Sequence, residues 1–115
     1  MNITLNDVDF RYELDGPEGA PWIVFSNSLT TDVTMWDTEV AQLKDRYRIL
    51  RYDTRGHGQT AAAPGPYSFE MLVGDIIALT DALGVDKAHY VGLSLGGMAG
   101  LGMAIEHGDR LLSMA

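Results

Sequence analysis

Residues 92–96, which read Gly-Leu-Ser-Leu-Gly, constrain the fold of this chain more than any other stretch. They follow a strand-like stretch, residues 89–91, and open a helix-like stretch that runs from Leu95 to about Glu106. Glycine on both sides of Ser94 allows a turn in which the backbone passes too close to its neighbours for a Cβ atom. The pattern therefore predicts a sharp strand-to-helix turn that exposes a serine at one edge of a sheet.

Segments of strand and helix periodicity alternate along the rest of the chain. The strand-like segments are a hairpin over residues 3–14, buried strands at 22–25, 47–52 and 89–91, and the opening of another strand at 111–115. The helix-like segments are residues 35–46, 68–83 and 95–106, with turn-rich residues at 53–58 and a flexible Ala-Pro-Gly-Pro at 63–66. This alternation predicts an α/β fold in which helices cover both faces of a mostly parallel sheet.

Composition excludes several kinds of partner and cofactor. The 115 residues carry 8 Lys and Arg against 16 Asp and Glu, a net charge of −8, which argues against nucleic-acid and anionic-membrane partners. The chain has no cysteine, no P-loop or dinucleotide fingerprint and no acid and histidine cluster with metal-ligand spacing, so no cofactor or metal is expected. With no signal peptide and no apolar run of about 18 residues, the expected location is cytoplasmic.

Ser94 is the predicted nucleophile. The turn places it at the N-terminus of a helix, where backbone N–H groups and the helix dipole favour developing negative charge. The N–H group of Leu95, directly after the serine, is one expected oxyanion donor, and the second is expected from residues 27–29, which follow a buried strand. Serine is a weak nucleophile at neutral pH, so this chemistry also needs a base.

Several stretches taken together resemble the α/β-hydrolase family and, within it, the 3-oxoadipate enol-lactonases. The matching stretches are residues 26–29 (Ser-Asn-Ser-Leu), 35–37, 51–58 (containing Arg-Gly-His-Gly), 65–68, 79–84 and 91–98. The resemblance implies hydrolysis of an enol-lactone in aromatic catabolism, through an acyl-enzyme on Ser94 and without a cofactor. It also implies that Leu29 is the second oxyanion donor. Thr30 stands where these lactonases often carry glycine.

Substrate contacts are predicted for Ser28 and Trp36, with core packing as the alternative for Trp36. An anionic substrate would depend on local arginines such as Arg51 or Arg55. Of the acids, Asp53 and Asp32 are predicted either to line a pocket or to stabilise loops and turns. Asp75 and Asp81 are predicted to lie on or near a solvated helix face.

None of the three histidines is an obvious partner for Ser94. His107 lies 13 residues along the helix, about 20 Å away at 1.5 Å per residue, and His89 lies five residues upstream in a strand. His57 follows a strand whose end shares the sheet edge with Ser94, and it is the one candidate base within the chain. The family's order of serine, acid and histidine predicts that the missing groups lie elsewhere.

The resemblance covers the N-terminal part of the family's proteins, and its lid, acid and histidine would lie beyond Ala115. We therefore expect residues 1–115 to be the nucleophile-bearing part of a single α/β-hydrolase domain, whose sheet is incomplete without further strands from a second polypeptide. The predicted function is a serine hydrolase of lactones or small carboxylic esters. The alternatives are a general carboxylesterase, a cofactor-free perhydrolase, and an inactive fragment or interaction module.

Overall fold

Parallel strands bring three chain segments to one edge of the sheet in the computed structural model, which describes residues 1–60 and 67–115. The strands are β1 (Asn2–Leu5), β2 (Val8–Asp15), β3 (Trp22–Ser26), β4 (Arg48–Tyr52), β5 (Ala88–Gly92) and β6 (Leu111–Met114). Their order is β1-β2-β4-β3-β5-β6; β1, β2 and β4 pair antiparallel, and the remaining pairs are parallel. The carboxyl ends of β3, β4 and β5 therefore lie together. This confirms the predicted α/β fold.

The predicted hairpin is confirmed, and its turn follows from the residues between β1 and β2. Asn6 and Asp7 have φ angles of 51° and 62°, which asparagine and aspartate tolerate better than most residues do. Positive φ at both central positions is the geometry of a two-residue hairpin turn whose twist matches that of the strands.

Two apolar cores lie against the sheet. The larger packs α2 (Phe69–Ala82) and α3 (Leu95–His107) against residues such as Val24, Leu50 and Tyr90. The smaller packs α1 (Asp37–Leu43) and the preceding turn against residues such as Phe25 and Ile49. Because neighbouring side chains along a strand point to opposite faces, alternating residues of β3 and β4 enter the two cores. Both faces of the sheet are covered, as predicted.

The predicted helix at residues 35–46 differs from the observed structure. A 3-10 helix spans Val33–Trp36, and the α-helix α1 spans only Asp37–Leu43. The change begins at Asp32, whose carboxylate accepts the N–H of Thr34 at 2.9 Å and starts a turn before the predicted helix. The helix at 68–83 is confirmed as α2, with the Ser68 hydroxyl capping Met71 N–H at 3.2 Å.

The predictions for the last helix and the last strand are confirmed. The helix predicted at residues 95–106 is α3, and the strand predicted at 111–115 is β6. The Ala-Pro-Gly-Pro stretch at 63–66 lies outside the described residues. No helix in the two described ranges is long and apolar enough to cross a membrane.

Candidate active site

The turn between β5 and α3 holds Ser94 in a backbone conformation that residues with side chains rarely adopt. Its φ and ψ angles are 54° and −110°, and its side chain is exposed. Such a conformation costs on the order of 1–3 kcal/mol and persists only where the surroundings enforce it. The structure thus places the predicted nucleophile on a strained and accessible turn.

Glycines 92 and 96 are sterically required around this turn. A Cβ atom on Gly92 would lie 2.5 Å from the carbonyl oxygen of Gly96, and a Cβ atom on Gly96 would lie 2.2 Å from that of Ser26. Both clashes are with backbone, which cannot move aside as a flexible side chain can. On Gly97 the nearest atom would be 3.5 Å away, an ordinary contact. The first and last glycines of the motif therefore allow α3 to approach the end of β3.

The two residues predicted to supply oxyanion donors lie beside the same cavity, which has a volume of about 250 Å³. Leu95 is the first residue of α3, so its N–H group has no partner within the helix. Leu29 is 58 % exposed on the loop after β3. Thr30, which follows it, has a φ of 63°, in the region where glycine is most readily accommodated.

Apolar side chains dominate the cavity wall. Its lining residues are Leu29, Thr54, Arg55, His57, Tyr67, Ser68, Phe69, Leu72 and Leu95. They come from the loops after β3 and β4, the start of α2 and the start of α3. The cavity is therefore built at the sheet edge where β3, β4 and β5 end.

Arg55, the one arginine on this wall, is committed to a buried ion pair. Its Nε and Nη2 atoms donate to the two carboxylate oxygens of Asp75 at 2.8 and 2.7 Å. The hydrogen bond that Arg55 donates to Asp75 raises the pKa of Arg55 despite its partial desolvation. Asp75 is 2 % exposed, so its predicted position near a solvated face was wrong, whereas Asp81 is exposed. The pair joins the loop after β4 to α2.

Arg51, the other arginine considered for an anionic substrate, lies among carboxylates on β2 and α1. It contacts Asp37 at 2.7 Å, Glu13 at 2.9 Å and Asp15 at 3.2 Å. It is not among the residues that line the cavity. Both candidate arginines therefore already have carboxylate partners.

A buried polar cluster lies directly beneath the Ser94 turn. The hydroxyl groups of Ser26 and Tyr52 are 2.8 Å apart, and the Tyr90 hydroxyl donates to the carbonyl oxygen of Gly96 at 2.7 Å. Burial raises the pKa of Tyr90 to about 12, and burial, followed by the neighbouring Tyr90, raises the pKa of Tyr52 well above its usual value. Both phenols are therefore neutral hydrogen-bonding groups at neutral pH.

The two residues predicted to contact substrate have other partners. Trp36 is 8 % exposed; its ring lies 4.7 Å from that of Phe25, and its indole N–H donates to Asn27 Oδ1 at 2.8 Å. The structure thus favours the core-packing alternative for Trp36. Ser28 is half-buried, and its N–H donates to the thioether of Met35 at 3.4 Å. Neither residue is among those that line the cavity.

The two loop carboxylates adopt the stabilising roles that the sequence offered as one reading. Asp53 is fully buried and accepts the N–H groups of Val33 at 2.9 Å and Gln59 at 2.8 Å. Asp32 caps the 3-10 helix, and its hydrogen bonds with the Thr34 side chain and backbone lower its pKa. Asp53 thereby ties the loop after β4 to the turn after β3.

The three histidines have different surroundings, and only one of them lies at the cavity. His89 Nδ1 lies 2.7 Å from the Ser113 hydroxyl and its ring meets Tyr47 edge-on, so it is a packed strand residue. His107 is the last residue of α3. His57 alone of the three lines the cavity, and its Nδ1 lies 3.1 Å from the carbonyl oxygen of Arg55.

Sequence reasoning missed the ion pair behind the cavity wall and the polar cluster beneath the turn. The available signal for the first was the placement of Asp75 among Leu72, Val73, Ile76 and Leu79, on the apolar side of its helix. Within residues 1–60 and 67–115, no group of three or more acids and histidines could hold a metal ion.

A mostly parallel sheet with an exposed serine at the turn from β5 to α3 defines the class of the protein. The chain belongs to the alpha/beta hydrolase fold family, whose profile matches residues 21–115. It is 45% identical over 102 residues to 3-oxoadipate enol-lactonase 1 of Acinetobacter baylyi, covering 89% of this chain and 38% of the relative. It is 40% identical over 108 residues to enol-lactonase 2 of the same organism, covering 94% and 40%.

Structural comparison agrees with the sequence comparison. The crystal structure of the enol-lactonase from Burkholderia xenovorans matches with a TM-score of 0.96 and 45% identity, over 99% of this chain and 45% of that chain. The resemblance to enol-lactonases is therefore confirmed. The chain spans about two-fifths of the length of the curated relatives described above.

Proposed function

We propose that this chain carries the nucleophile of a serine hydrolase that cleaves lactones or small carboxylic esters. The observation that carries the proposal is the Ser94 turn. A strained, exposed serine begins a helix beside a cavity that Leu29 and Leu95 both line. Kinship with the enol-lactonases, which are 40–45% identical to this chain, favours a lactone as substrate.

The proposed reaction forms and then hydrolyses an acyl-enzyme. Ser94 Oγ attacks the substrate carbonyl carbon and gives its proton to a base, and the N–H groups of Leu29 and Leu95 stabilise the resulting oxyanion. Collapse breaks the bond to the leaving oxygen, which takes up the proton, and leaves an ester on Ser94. In a lactone the leaving oxygen stays tethered to the acyl group. Attack by water then releases the acid and restores Ser94.

His57 is the one histidine that lines the cavity, but the family's order of serine, acid and histidine places both missing groups after Ser94 in the sequence. We therefore propose that further polypeptide supplies the acid and the histidine. Two observations support this proposal. The enol-lactonases that match nearly all of this chain are more than twice as long as the matched segment. Within the described residues β6 pairs only with β5, which leaves its other edge open.

An apolar surface next to that edge fits the same proposal. Met98, Leu101 and Ile105 repeat along α3 at helical spacing and are 53, 57 and 84 % exposed. Met114 of β6 is 42 % exposed and lies near Gly100 of the same helix. A polypeptide that adds a strand to β6 and a helix over this stripe would cover both. Residues 1–115 are then the nucleophile-bearing part of a single domain.

Ester hydrolysis without lactone preference is the second candidate, and the cavity favours it. Its wall is largely apolar, and Arg55 already pairs with Asp75. A carboxylate in the substrate would therefore find no free guanidinium among the described lining residues. Comparing turnover of an enol-lactone with that of p-nitrophenyl acetate separates the two candidates.

Covalent labelling with a fluorophosphonate tests the proposed nucleophile. The probe reacts only with activated serines, so the complete protein should be labelled at Ser94, and Ser94→Ala should abolish labelling. Ser113→Ala is the matched control because Ser113 is engaged by His89, and labelling should be unchanged. Absence of labelling in the complete protein would contradict the enzyme proposal and favour an interaction module.

A further inference from the structure

Asn27 adjoins the buried polar cluster beneath the Ser94 turn, because its side chain bonds to the backbone of Tyr52. It is fully buried, and both ends of its side-chain amide are satisfied: Oδ1 accepts from Trp36 Nε1 at 2.8 Å, and Nδ2 donates to the carbonyl oxygen of Tyr52 at 2.9 Å. These partners belong to the 3-10 helix and to the end of β4. An amide held at both ends in a buried site has little freedom to rotate.

The backbone of Asn27 is joined directly to the turn that carries Ser94. Its carbonyl oxygen accepts the N–H of Gly96 at 3.0 Å, and the preceding carbonyl, of Ser26, accepts the N–H of Leu93 at 3.2 Å. Gly96 directly follows Leu95, whereas Leu29 lies two residues after Asn27. One residue thus connects the two segments that carry the proposed oxyanion donors.

Ser28, between Asn27 and Leu29, also contacts the 3-10 helix that contains Trp36. Ser28 N–H donates to Met35 Sδ, so consecutive side chains of the 3-10 helix, Met35 and Trp36, contact consecutive residues of the loop after β3. The path of the chain from Asn27 to Leu29 is therefore fixed by the 3-10 helix.

We infer that Asn27, held by Trp36, is a positioning residue that sets the separation of the Leu29 and Leu95 N–H groups; its catalytic consequence rests on the proposed function. The residue touches no reacting atom in this role. Asn27 would affect the rate by holding the two N–H groups in place, because a displacement of about 1 Å in a catalytic group costs on the order of 10²-fold in rate. The hydrogen bond from Trp36 prevents the amide, and the loop attached to it, from shifting.

Trp36→Phe is the principal test, because it keeps an aromatic ring against Phe25 and removes the N–H donor. Trp22→Phe is the matched control, since Trp22 is half-buried beneath Arg48 at the opposite end of β3 from Asn27. The first readout is the backbone amide spectrum of the complete protein by NMR. Trp36→Phe should shift the Leu29 and Leu95 amide signals, and Trp22→Phe should leave them in place.

The second readout is turnover by the complete, active protein. We expect Trp36→Phe to lower kcat about tenfold, the effect of roughly one hydrogen bond, with KM within twofold. Asn27→Ala should lower kcat by about a hundredfold, near the lower value for losing one oxyanion donor. A merely structural role would lower the melting temperature without this selective loss of kcat.

The outcomes separate the two proposals. Unmoved Leu29 and Leu95 signals in Trp36→Phe would overturn the inference, as would a kcat equal to that of the Trp22→Phe control. An unlabelled Ser94 in the wild-type protein would overturn the proposed function instead. The NMR comparison would still decide whether Asn27 and Trp36 position the two N–H groups.

Discussion

The N-terminal end of α3 makes close contacts with the rest of the chain, whereas the outer face of the same helix is largely exposed. At the N-terminal end, the Tyr90 hydroxyl donates to Gly96 carbonyl oxygen, the Gly96 N–H donates to Asn27, and the glycines permit contact distances that no other residue allows. On the outer face, Met98, Leu101 and Ile105 belong to neither apolar core and remain largely exposed. The same helix is thus tightly fixed where chemistry is proposed and open where further polypeptide is proposed to bind.

The glycine contacts give the largest expected effect on the fixed end. Gly96→Ala places a Cβ atom 2.2 Å from the backbone of Ser26, so we expect loss of the turn and a fall of several kcal/mol in the free energy of unfolding. Gly97→Ala is the matched change at the next residue, where the new Cβ atom would lie 3.5 Å from its nearest neighbour, the Gly92 carbonyl oxygen. It should be neutral or stabilise the helix by up to about 1 kcal/mol. Urea unfolding measures both, and equal effects would contradict the steric argument.

The ion pair behind the cavity gives the next effect. Asp75→Asn leaves the buried Arg55 guanidinium without its charge partner and should cost about 3–5 kcal/mol of stability. Asp81, also on α2, has an exposed side chain and pairs with Arg110, and Asp81→Asn should cost about 0–1 kcal/mol. Denaturant midpoints compare the two variants. A loss below about 1 kcal/mol for Asp75→Asn would mean that the pair does not fix the cavity wall.

The buried tyrosines make the fixed end sensitive to alkali. Because burial raises the pKa of Tyr90 to about 12, the folded state keeps a proton that the unfolded chain loses near pH 10. The contribution of Tyr90 to the free energy of unfolding is therefore fully present below pH 10. It decreases between pH 10 and about pH 12, by at most about 1.4 kcal/mol per pH unit. Unfolding followed from pH 8 to 12 should show this fall, and Tyr90→Phe should make it shallower. An unchanged slope in that variant would contradict the assignment.

The open face gives the smallest expected effect on the chain itself. Ile105→Lys changes a side chain that is 84 % exposed, so stability should change by less than about 0.5 kcal/mol. A charge in the proposed interface should nevertheless prevent binding of the completing polypeptide, whereas Glu106→Lys, on the neighbouring exposed position, should not. Size-exclusion chromatography of the mixed components distinguishes the two variants. Unimpaired assembly of Ile105→Lys would place the interface elsewhere.

Much of this arrangement could be predicted because it depends on local sequence. Asn6-Asp7 specifies a tight hairpin turn, Ser68 caps α2, and the glycines around Ser94 specify a close backbone approach. What escaped prediction depends on contacts between residues distant in the chain. The Asp75 carboxylate is acceptable on an apolar helix face only because Arg55, 20 residues earlier, reaches it. The amide of Asn27 likewise acquires its role from Tyr52 and Trp36.

The helix predicted at residues 35–46 shows the same limit at closer range. Apolar spacing at Met35, Trp36, Val40 and Leu43 is compatible with one helix. The observed 3-10 helix before α1 instead allows Met35 and Trp36 to contact Ser28 and Asn27. Periodicity in the sequence reports which residues are apolar, but it does not report which of them also donate or accept hydrogen bonds.

Direct detection of the acyl-enzyme tests the central claim, that Ser94 is the nucleophile of a lactone or ester hydrolase. The complete protein is mixed with an enol-lactone or p-nitrophenyl acetate, quenched in acid within milliseconds, and examined by intact mass and peptide mapping. The account predicts a mass increase equal to the acyl group, located on Ser94 and absent from Ser94→Ala. Substrate turnover with no adduct on Ser94, or with equal turnover by Ser94→Ala, would contradict it.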